Sequence, residues 1–230
     1  LASRICRRRT GVGANGLLVL TAGMEHALKA AFFLPSGEQQ ALSADAIACV
    51  GRFAFDYGLA ENARVSCESD FGVVTTDVID SVNFRIDLGT PKDISQNAEI
   101  DPSSEKNLNR SVSVSGKRLP FTPVRLKNDY AVFSIIERPA AVKRLAADVS
   151  TNDAMQTLQP VFMRCISDEE ITVYSWSVAG KTPDHAAGAA ACVAAGVLNG
   201  FCEREVTVRY RSYLLFVQWL EREGRLLVTA

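Results

Sequence analysis

A chain of 230 residues is long enough for one large domain or for two lobes of roughly 100 residues each. Hydrophobic residues make up 47% of the chain and charged residues 22%, which is typical of a globular protein with a sizeable core. The formal net charge of −1 excludes a general attraction to nucleic acid or anionic membranes, and no apolar run approaches the roughly 18 residues of a membrane-spanning helix.

The first half of the chain alternates predicted strands with one helix. Apolar residues recur at helical spacing from Ser43 to Tyr57, and Gly58 marks the end of this helix. The segment 91–111 is polar and rich in turn residues, which predicts a linker or crossover. Alternation and β-branched content predict strands at 17–22, 27–35, 64–69, 71–79 and 82–89.

The second half repeats this order around a helix of small residues from Asp184 to Leu198. Strands, a central helix, strands, a linker and the same again predict an α+β protein with two similar lobes that face a cleft. We place the lobes at residues 1–110 and 111–230. The predicted strands of this half are 112–116, 131–136, 161–166, 171–176, 205–210, 213–219 and 225–230.

The six cysteines are scattered and form no CxxC pair. This spacing argues against a zinc module, and no metal site is expected. It predicts reduced, mostly buried thiols in a reducing, intracellular compartment. The chain begins at Leu1 without a recognisable signal or transit segment, so cytoplasm and organelle matrix both stay open.

Four stretches of the chain resemble motifs of one known family. The runs 5-ICRRRTGVGANGLLVL-20 and 35-PSGEQQALSADAIACVGRFAFDYGL-59 are similar to cDRRfGiGADGlll and NxDGSxaxxCGNGxRCfaRfvydxGl, respectively, of the diaminopimelate epimerases. The segments 205–210 and 217–230 look like the family's closing strands. The resemblance implies two pseudo-symmetric lobes, each a β structure wrapped around one central helix, with the substrate between them. The family's first strand and its last short strand have no counterpart in residues 1–230, so the first lobe is expected to lack its first strand.

The resemblance also implies a chemistry without cofactors. The family inverts an amino-acid α-carbon with two cysteines, one at the start of each central helix. One thiolate removes the proton while the opposite thiol returns one. A helix start lowers the pKa of a thiol and favours a bound carboxylate, which explains this placement.

This sequence departs from the family at those positions. Ser43 stands where the first catalytic cysteine belongs, and His185 stands where the second one belongs. In the family, a Glu and an Arg bind the charged groups of the substrate; the corresponding residues here are Trp176 and Ser177. The family's GNPHxV strand matches 127-KNDYAVF-133 only loosely, and Asn128 is the one substrate-binding candidate that it retains.

These replacements predict a catalytically degenerate family member. A serine hydroxyl is a far weaker acid than a thiol, and two-base inversion needs a competent group on each face of the substrate. We therefore expect a non-catalytic structural or assembly component of a larger protein or ribonucleoprotein complex. Protein partners are expected, in either a homo- or a hetero-oligomer.

An enzymatic alternative stays open. An imidazole is a base at neutral pH, so His185 and Asp184, with Ser43 opposite, are the candidates for a cofactor-independent racemase, epimerase or related isomerase. The stretch 183-PDHAAGAAAC-192 is also somewhat similar to the DPxTGSA turn of the phenazine-biosynthesis isomerase family, which would make Asp184 the acid–base group. On the non-catalytic interpretation, Ser43 is a helix cap and His185 a cap or surface residue.

A short basic cluster near the start of the chain is a candidate for RNA contact. The same run is also basic in the epimerases, so a structural role is equally consistent with it. The cluster consists of Arg4, Arg7, Arg8 and Arg9.

Overall fold

The computed structural model of the protein describes residues 1–59, 63–101, 108–135, 139–175, 184–210 and 213–230. It consists of two compact units, Leu1–Ile86 and Asp87–Ala230. The second unit therefore begins before the boundary at 110/111 that the sequence suggested. Residues 88–92 lie with the second unit because Leu88 donates its N–H to Leu226 O, and Lys92 exchanges two backbone hydrogen bonds with Arg125.

The first unit is a sheet with one long helix against it. Its elements are α1 (Ala2–Ile5), β1 (Leu17–Ala22), β2 (Leu28–Phe33), β3 (Gln39–Gln40), α2 (Ala44–Asp56), β4 (Arg64–Glu68), β5 (Val74–Val78) and β6 (Phe84–Asp87). The strands follow the order β1-β2-β4-β5-β6, and β3 pairs with β2. The predicted helix and all five predicted strands are confirmed, with strand ends shifted by up to three residues.

The apolar stripe that predicted α2 is the face that it buries. Ile47, Val50 and Ala54 are almost fully buried on this face. Gly51 allows the helix to approach the sheet closely, because a Cβ at this position would lie 2.7 Å from Thr76 Cγ2 on β5. The helix is therefore positioned by apolar burial and by one close contact with the sheet.

The second unit contains an eight-stranded sheet. Its elements are β7 (Arg110–Val114), β8 (Lys117–Arg125), β9 (Asp129–Ser134), α3 (Pro139–Ser150), a 3-10 turn (Asp153–Met155), β10 (Gln159–Cys165), β11 (Glu170–Ser175), α4 (His185–Leu198), β12 (Glu205–Arg209), β13 (Leu214–Trp219) and β14 (Leu226–Thr229). The strands follow the order β14-β13-β12-β11-β10-β9-β8-β7. The predicted central helix, α4, is confirmed.

Two elements of this unit differ from the sequence-based prediction. Strand β8 carries Pro120 and Pro123, and prolines normally argue against a strand. It forms nonetheless between β7 and β9. Helix α3 is a second helix in a lobe for which only one was expected, and it packs against a cluster that contains Phe121, Phe133 and Phe162.

Helix α4 packs against the sheet through small side chains. Residues 186–196 are all buried, and nine of these eleven are Ala or Gly. Such residues let the helix axis approach the strands closely. The α+β fold class predicted from the sequence is confirmed, and each unit presents the first turn of one well-buried helix. Within the described ranges, no helix is long and apolar enough to cross a membrane.

Candidate active site

The first candidate position, Ser43, is the N-cap of α2. Its backbone is extended, and its Oγ accepts a hydrogen bond from the Ala46 N–H at 3.1 Å. This is the standard capping geometry, in which a side-chain oxygen satisfies one of the unpaired N–H groups of the first turn. The methyl groups of Ala44 and Ala46 are buried at this helix start. The interpretation of Ser43 as a cap is therefore confirmed.

The second candidate position lies at the start of α4. Asp184 is the N-cap, and its carboxylate accepts a hydrogen bond from the Ala187 N–H at 3.2 Å. Only 5% of Asp184 is exposed, which is unusual for an acidic residue. His185 follows as the first residue of the helix, and it is partly exposed.

Two tyrosine rings hold the imidazole of His185. The ring centroids of His185 and Tyr210 are 5.2 Å apart, and those of His185 and Tyr213 are 5.9 Å apart, both in edge-to-face geometry. The two tyrosines are stacked on each other at 5.0 Å. The Tyr210 hydroxyl also donates a hydrogen bond to the His185 backbone carbonyl at 2.9 Å. The imidazole is therefore oriented by packing against this stacked pair of tyrosine rings.

A positive charge lies close to this helix start. Lys127 belongs to the turn between β8 and β9, where the Leu126 N–H bonds to Asn128 O at 3.0 Å. The Lys127 side chain is exposed overall, but partial desolvation lowers the pKa of its ammonium group, and the nearby Asp184 carboxylate opposes this shift. The cluster at the start of α4, which we call the α4 cluster, comprises Lys127, Asp184, His185, Tyr210 and Tyr213.

The sequence did not single out three of these residues. Lys127, Tyr210 and Tyr213 lie in loops or at strand ends, where no periodicity marks them. Asn128 is exposed in the same turn as Lys127, and its assignment to substrate binding stays a prediction. Trp176 and Ser177 lie outside the described residues. Ser43 and His185 belong to different compact units, and their pairing also stays a prediction.

The described thiols are poorly suited to act as anionic bases. All six cysteines are free, and four of them are buried, as the sequence predicted. Burial raises the pKa of Cys67 to about 11 and that of Cys202 to about 12, and it raises the pKa of Cys192 well above the usual range. None of the six occupies the first turn of α2 or α4.

Two further candidates from the sequence are a metal site and the basic cluster near the start of the chain. Within the described ranges, no three His, Cys, Asp or Glu side chains are grouped so that they could hold a metal ion. Arg4 lies in α1, and Arg7, Arg8 and Arg9 follow it; all four are exposed. Arg8 donates to Asn15 Oδ1 at 3.3 Å. RNA contact by this cluster stays a prediction.

Known proteins share both the sequence pattern and the fold. The diaminopimelate epimerase of Pelotomaculum thermopropionicum is 28% identical over 228 residues, covering 96% of this chain and 81% of that protein. The diaminopimelate epimerase of Moorella thermoacetica is 25% identical over 236 residues, covering 100% of this chain and 85% of that protein. No family model matches the chain.

Solved structures at lower identity show the same fold. A hydroxyproline epimerase from Agrobacterium vitis aligns with a TM-score of 0.69 at 13% identity, covering 99% of this chain and 76% of that one. A Bacillus anthracis phenazine biosynthesis protein of the PhzF family aligns with a TM-score of 0.62 at 12% identity, covering 95% of this chain and 81% of that one. A methylitaconate-delta-isomerase aligns with a TM-score of 0.58 at 13% identity, covering 100% of this chain and 84% of that one. Similarity along nearly the whole chain, together with this shared fold, shows that the protein is similar to diaminopimelate epimerases and has a diaminopimelate-epimerase-like fold.

Proposed function

We propose that the protein is a cofactor-independent isomerase that moves a proton with a single base, His185. Its substrate would be a small molecule with a C–H bond made acidic by a neighbouring carbonyl or carboxyl group. The observation that carries the proposal is the α4 cluster, in which two tyrosine rings and a backbone hydrogen bond hold His185 at the first turn of α4.

A single base limits the reactions that are available. Inversion at a carbon needs an acid–base group on each face of the substrate, and Ser43 is a poor candidate for the second one. Its hydroxyl is a weak acid, and its oxygen already accepts the Ala46 N–H. One base can remove a proton and return it on the same face, to the same carbon or to the far end of a conjugated anion. A proton shift between two carbons therefore fits His185 better than epimerisation does.

The names of similar proteins support an isomerase of this kind. The sequence relatives are diaminopimelate epimerases, and the structural neighbours include a hydroxyproline epimerase and a methylitaconate-delta-isomerase. On this proposal Asp184 is a positioning residue, because its buried carboxylate caps the helix that carries His185. Lys127 would bind a negatively charged group of the substrate.

Solvent deuterium incorporation tests this proposal. The protein is incubated in deuterated buffer with amino acids and unsaturated carboxylic acids, and incorporation is followed by mass spectrometry. We expect incorporation into at least one compound, its loss in His185→Ala, and a rate within about twofold of wild type in Ser43→Ala. Equal loss in both variants would instead indicate a two-base reaction with Ser43.

A second candidate is a non-catalytic role in a larger protein or ribonucleoprotein complex. The start of α2 favours it, since Ser43 is engaged as a cap and buried methyl groups of Ala44 and Ala46 stand where the epimerase motif has glycine. Size-exclusion chromatography of the endogenous protein, with and without RNase, tests this role. Elution far ahead of a 24.9 kDa chain, with no deuterium incorporation into any compound, would favour it over the isomerase.

A further inference from the structure

We infer that the second unit carries a separate binding pocket for a small apolar carboxylate, at the opposite end of α4 from His185. A pocket of about 90 Å³ lies between the last turn of α4 and strands β8, β9 and β10. A helix rises about 1.5 Å per residue, so Asn199 at this end lies roughly 20 Å from His185. The pocket is thus distinct from the α4 cluster.

The inner part of the pocket is apolar. Val132 of β9, Met163 of β10 and Ala195 of α4 line it, and Phe201 lies at its edge with 46% of its surface exposed. Covering this exposed phenylalanine with an apolar ligand group is favourable, because the contact removes apolar surface from water. This part of the pocket therefore fits an aromatic or branched aliphatic group.

One wall of the pocket is a ring of polar side chains. Thr122 Oγ1 donates to Asn109 Oδ1 at 2.5 Å and accepts from Asn199 Nδ2 at 3.0 Å. Asn109 Nδ2 donates in turn to Asn199 Oδ1 at 2.5 Å. This ring joins the segment before β7, strand β8 and the C-terminal end of α4. It forms a polar wall before any ligand binds, as is usual for small-molecule sites.

A cationic rim continues from this wall. A second, more open concavity shares Asn109 and Pro120 with the pocket and is also lined by Arg110 and Arg118. Arg118 lies on the same face of β8 as Pro120 and Thr122, because alternate residues of a strand share a face. Its Nε donates to Ser111 Oγ at 2.6 Å. The neighbouring Arg110 instead forms an ion pair with Asp93 at 3.9 Å.

The distance along the strand sets the size of the ligand. Arg118 lies four strand positions from Thr122, which is about 13 Å along β8. The extended arginine side chain can cover part of this distance toward the pocket. A ligand with its apolar group near Phe201 and a short alkyl chain would bring its carboxylate to the terminal guanidinium nitrogens of Arg118, which favour carboxylates.

Calorimetric titration of the full chain with three probes tests the charge and the apolar group separately. 4-Phenylbutyrate carries both, 4-phenylbutanol lacks the charge, and acetate lacks the apolar group. We expect 4-phenylbutyrate to bind at least about tenfold more tightly than either of the others, since a charged hydrogen bond is worth about that factor. Equal binding of the acid and the alcohol, or no binding of the acid, would overturn the proposal.

Variants then locate the site. Arg118→Gln should weaken 4-phenylbutyrate about tenfold and leave 4-phenylbutanol unchanged, whereas Arg144→Gln, an exposed arginine of α3, should change neither. Ser134→Leu should weaken both by filling the pocket. Circular dichroism checks that each variant is folded. His185→Ala should leave the affinity for 4-phenylbutyrate unchanged; a loss of binding in this variant would assign the ligand to the α4 cluster and refute the second pocket.

Discussion

The Tyr210 hydroxyl donates a hydrogen bond to the backbone carbonyl of His185 at 2.9 Å. This bond joins the residue after β12 to the first turn of α4, and it fixes the backbone from which the imidazole projects. The same tyrosine ring packs edge to face against that imidazole. One side chain therefore holds both the main chain and the ring of the proposed base.

Removal of this hydroxyl is expected to weaken the start of α4. In Tyr210→Phe the ring contact with His185 is kept while the hydrogen bond is lost, so the free energy of unfolding should fall by about 1 kcal/mol. Urea denaturation at neutral pH measures the change. Tyr57→Phe is the control, since Tyr57 is 69% exposed and its variant should stay within about 0.5 kcal/mol of wild type. Equal losses in the two variants would contradict the structural role of the Tyr210 hydroxyl.

Two glycines of α4 should respond to alanine in opposite directions. A Cβ at Gly196 would overlap the Cys202 sulfur and lie 3.3 Å from Met163 Cε, whereas a Cβ at Gly188 would meet its nearest neighbour, on Val161, at 3.5 Å. Overpacking costs about 1–3 kcal/mol, and alanine gains up to about 1 kcal/mol over glycine inside a helix. We expect Gly196→Ala to lower the free energy of unfolding and Gly188→Ala to raise it.

A double-mutant cycle separates the overlap at Gly196 from other effects. Adding Cys202→Ala removes the sulfur that the new methyl group would meet, so Gly196→Ala should cost less in that background than in wild type. The same cost in both backgrounds would mean that the Cys202 sulfur is not the obstacle.

Glu68 should make the turn between β1 and β2 sensitive to acid. Its carboxylate accepts the backbone N–H groups of Glu25 at 2.6 Å and His26 at 2.7 Å, and these bonds lower its pKa from the ordinary value of 4.5. A carboxylate whose pKa is lower in the folded state stabilises the protein fully above the unfolded value. That stabilisation is lost as the pH falls below 4.5 through the folded pKa.

The test compares Glu68→Gln with wild type by urea denaturation at about pH 7 and about pH 3. The variant should be the less stable protein at the higher pH, and the difference should shrink at the lower one, where the wild-type carboxylate is protonated. Glu38→Gln, at an exposed site in the first unit, is the charge-matched control. A difference for Glu68→Gln that is the same at both pH values would show that the carboxylate's charge contributes nothing.

Thiol alkylation should distinguish the cysteines by exposure. Cys49 is exposed, whereas Cys192 and Cys202 are buried. Desolvation raises the pKa of all three thiols, so the difference in exposure decides which of them a reagent can reach. Peptide mapping after brief treatment with iodoacetamide should show that Cys49 is modified at least about tenfold faster than Cys192 or Cys202. Comparable labelling of Cys192 in the folded protein would contradict the packing of α4.

Much of the fold was predictable because its signals are local. The helix from Ser43 to Tyr57 is marked by an apolar stripe, a capping serine and a terminal glycine within about 15 residues, and the structure confirms all three. Strand β8 escaped prediction because its two prolines mask a segment that tertiary pairing with β7 and β9 holds extended.

The sequence by itself determined the similarity to diaminopimelate epimerases and the start of each central helix, and it predicts that Ser43 and His185 stand at the family's thiol positions. Only the tertiary structure decided what surrounds them, because Tyr210 and Tyr213 are 25 and 28 residues from His185 and reach it through the position of β12 against α4. The ring of Asn109, Thr122 and Asn199 likewise joins residues up to 90 positions apart. Local periodicity encodes which residues are helical or extended, whereas contacts between distant residues depend on how the sheet and the helix pack.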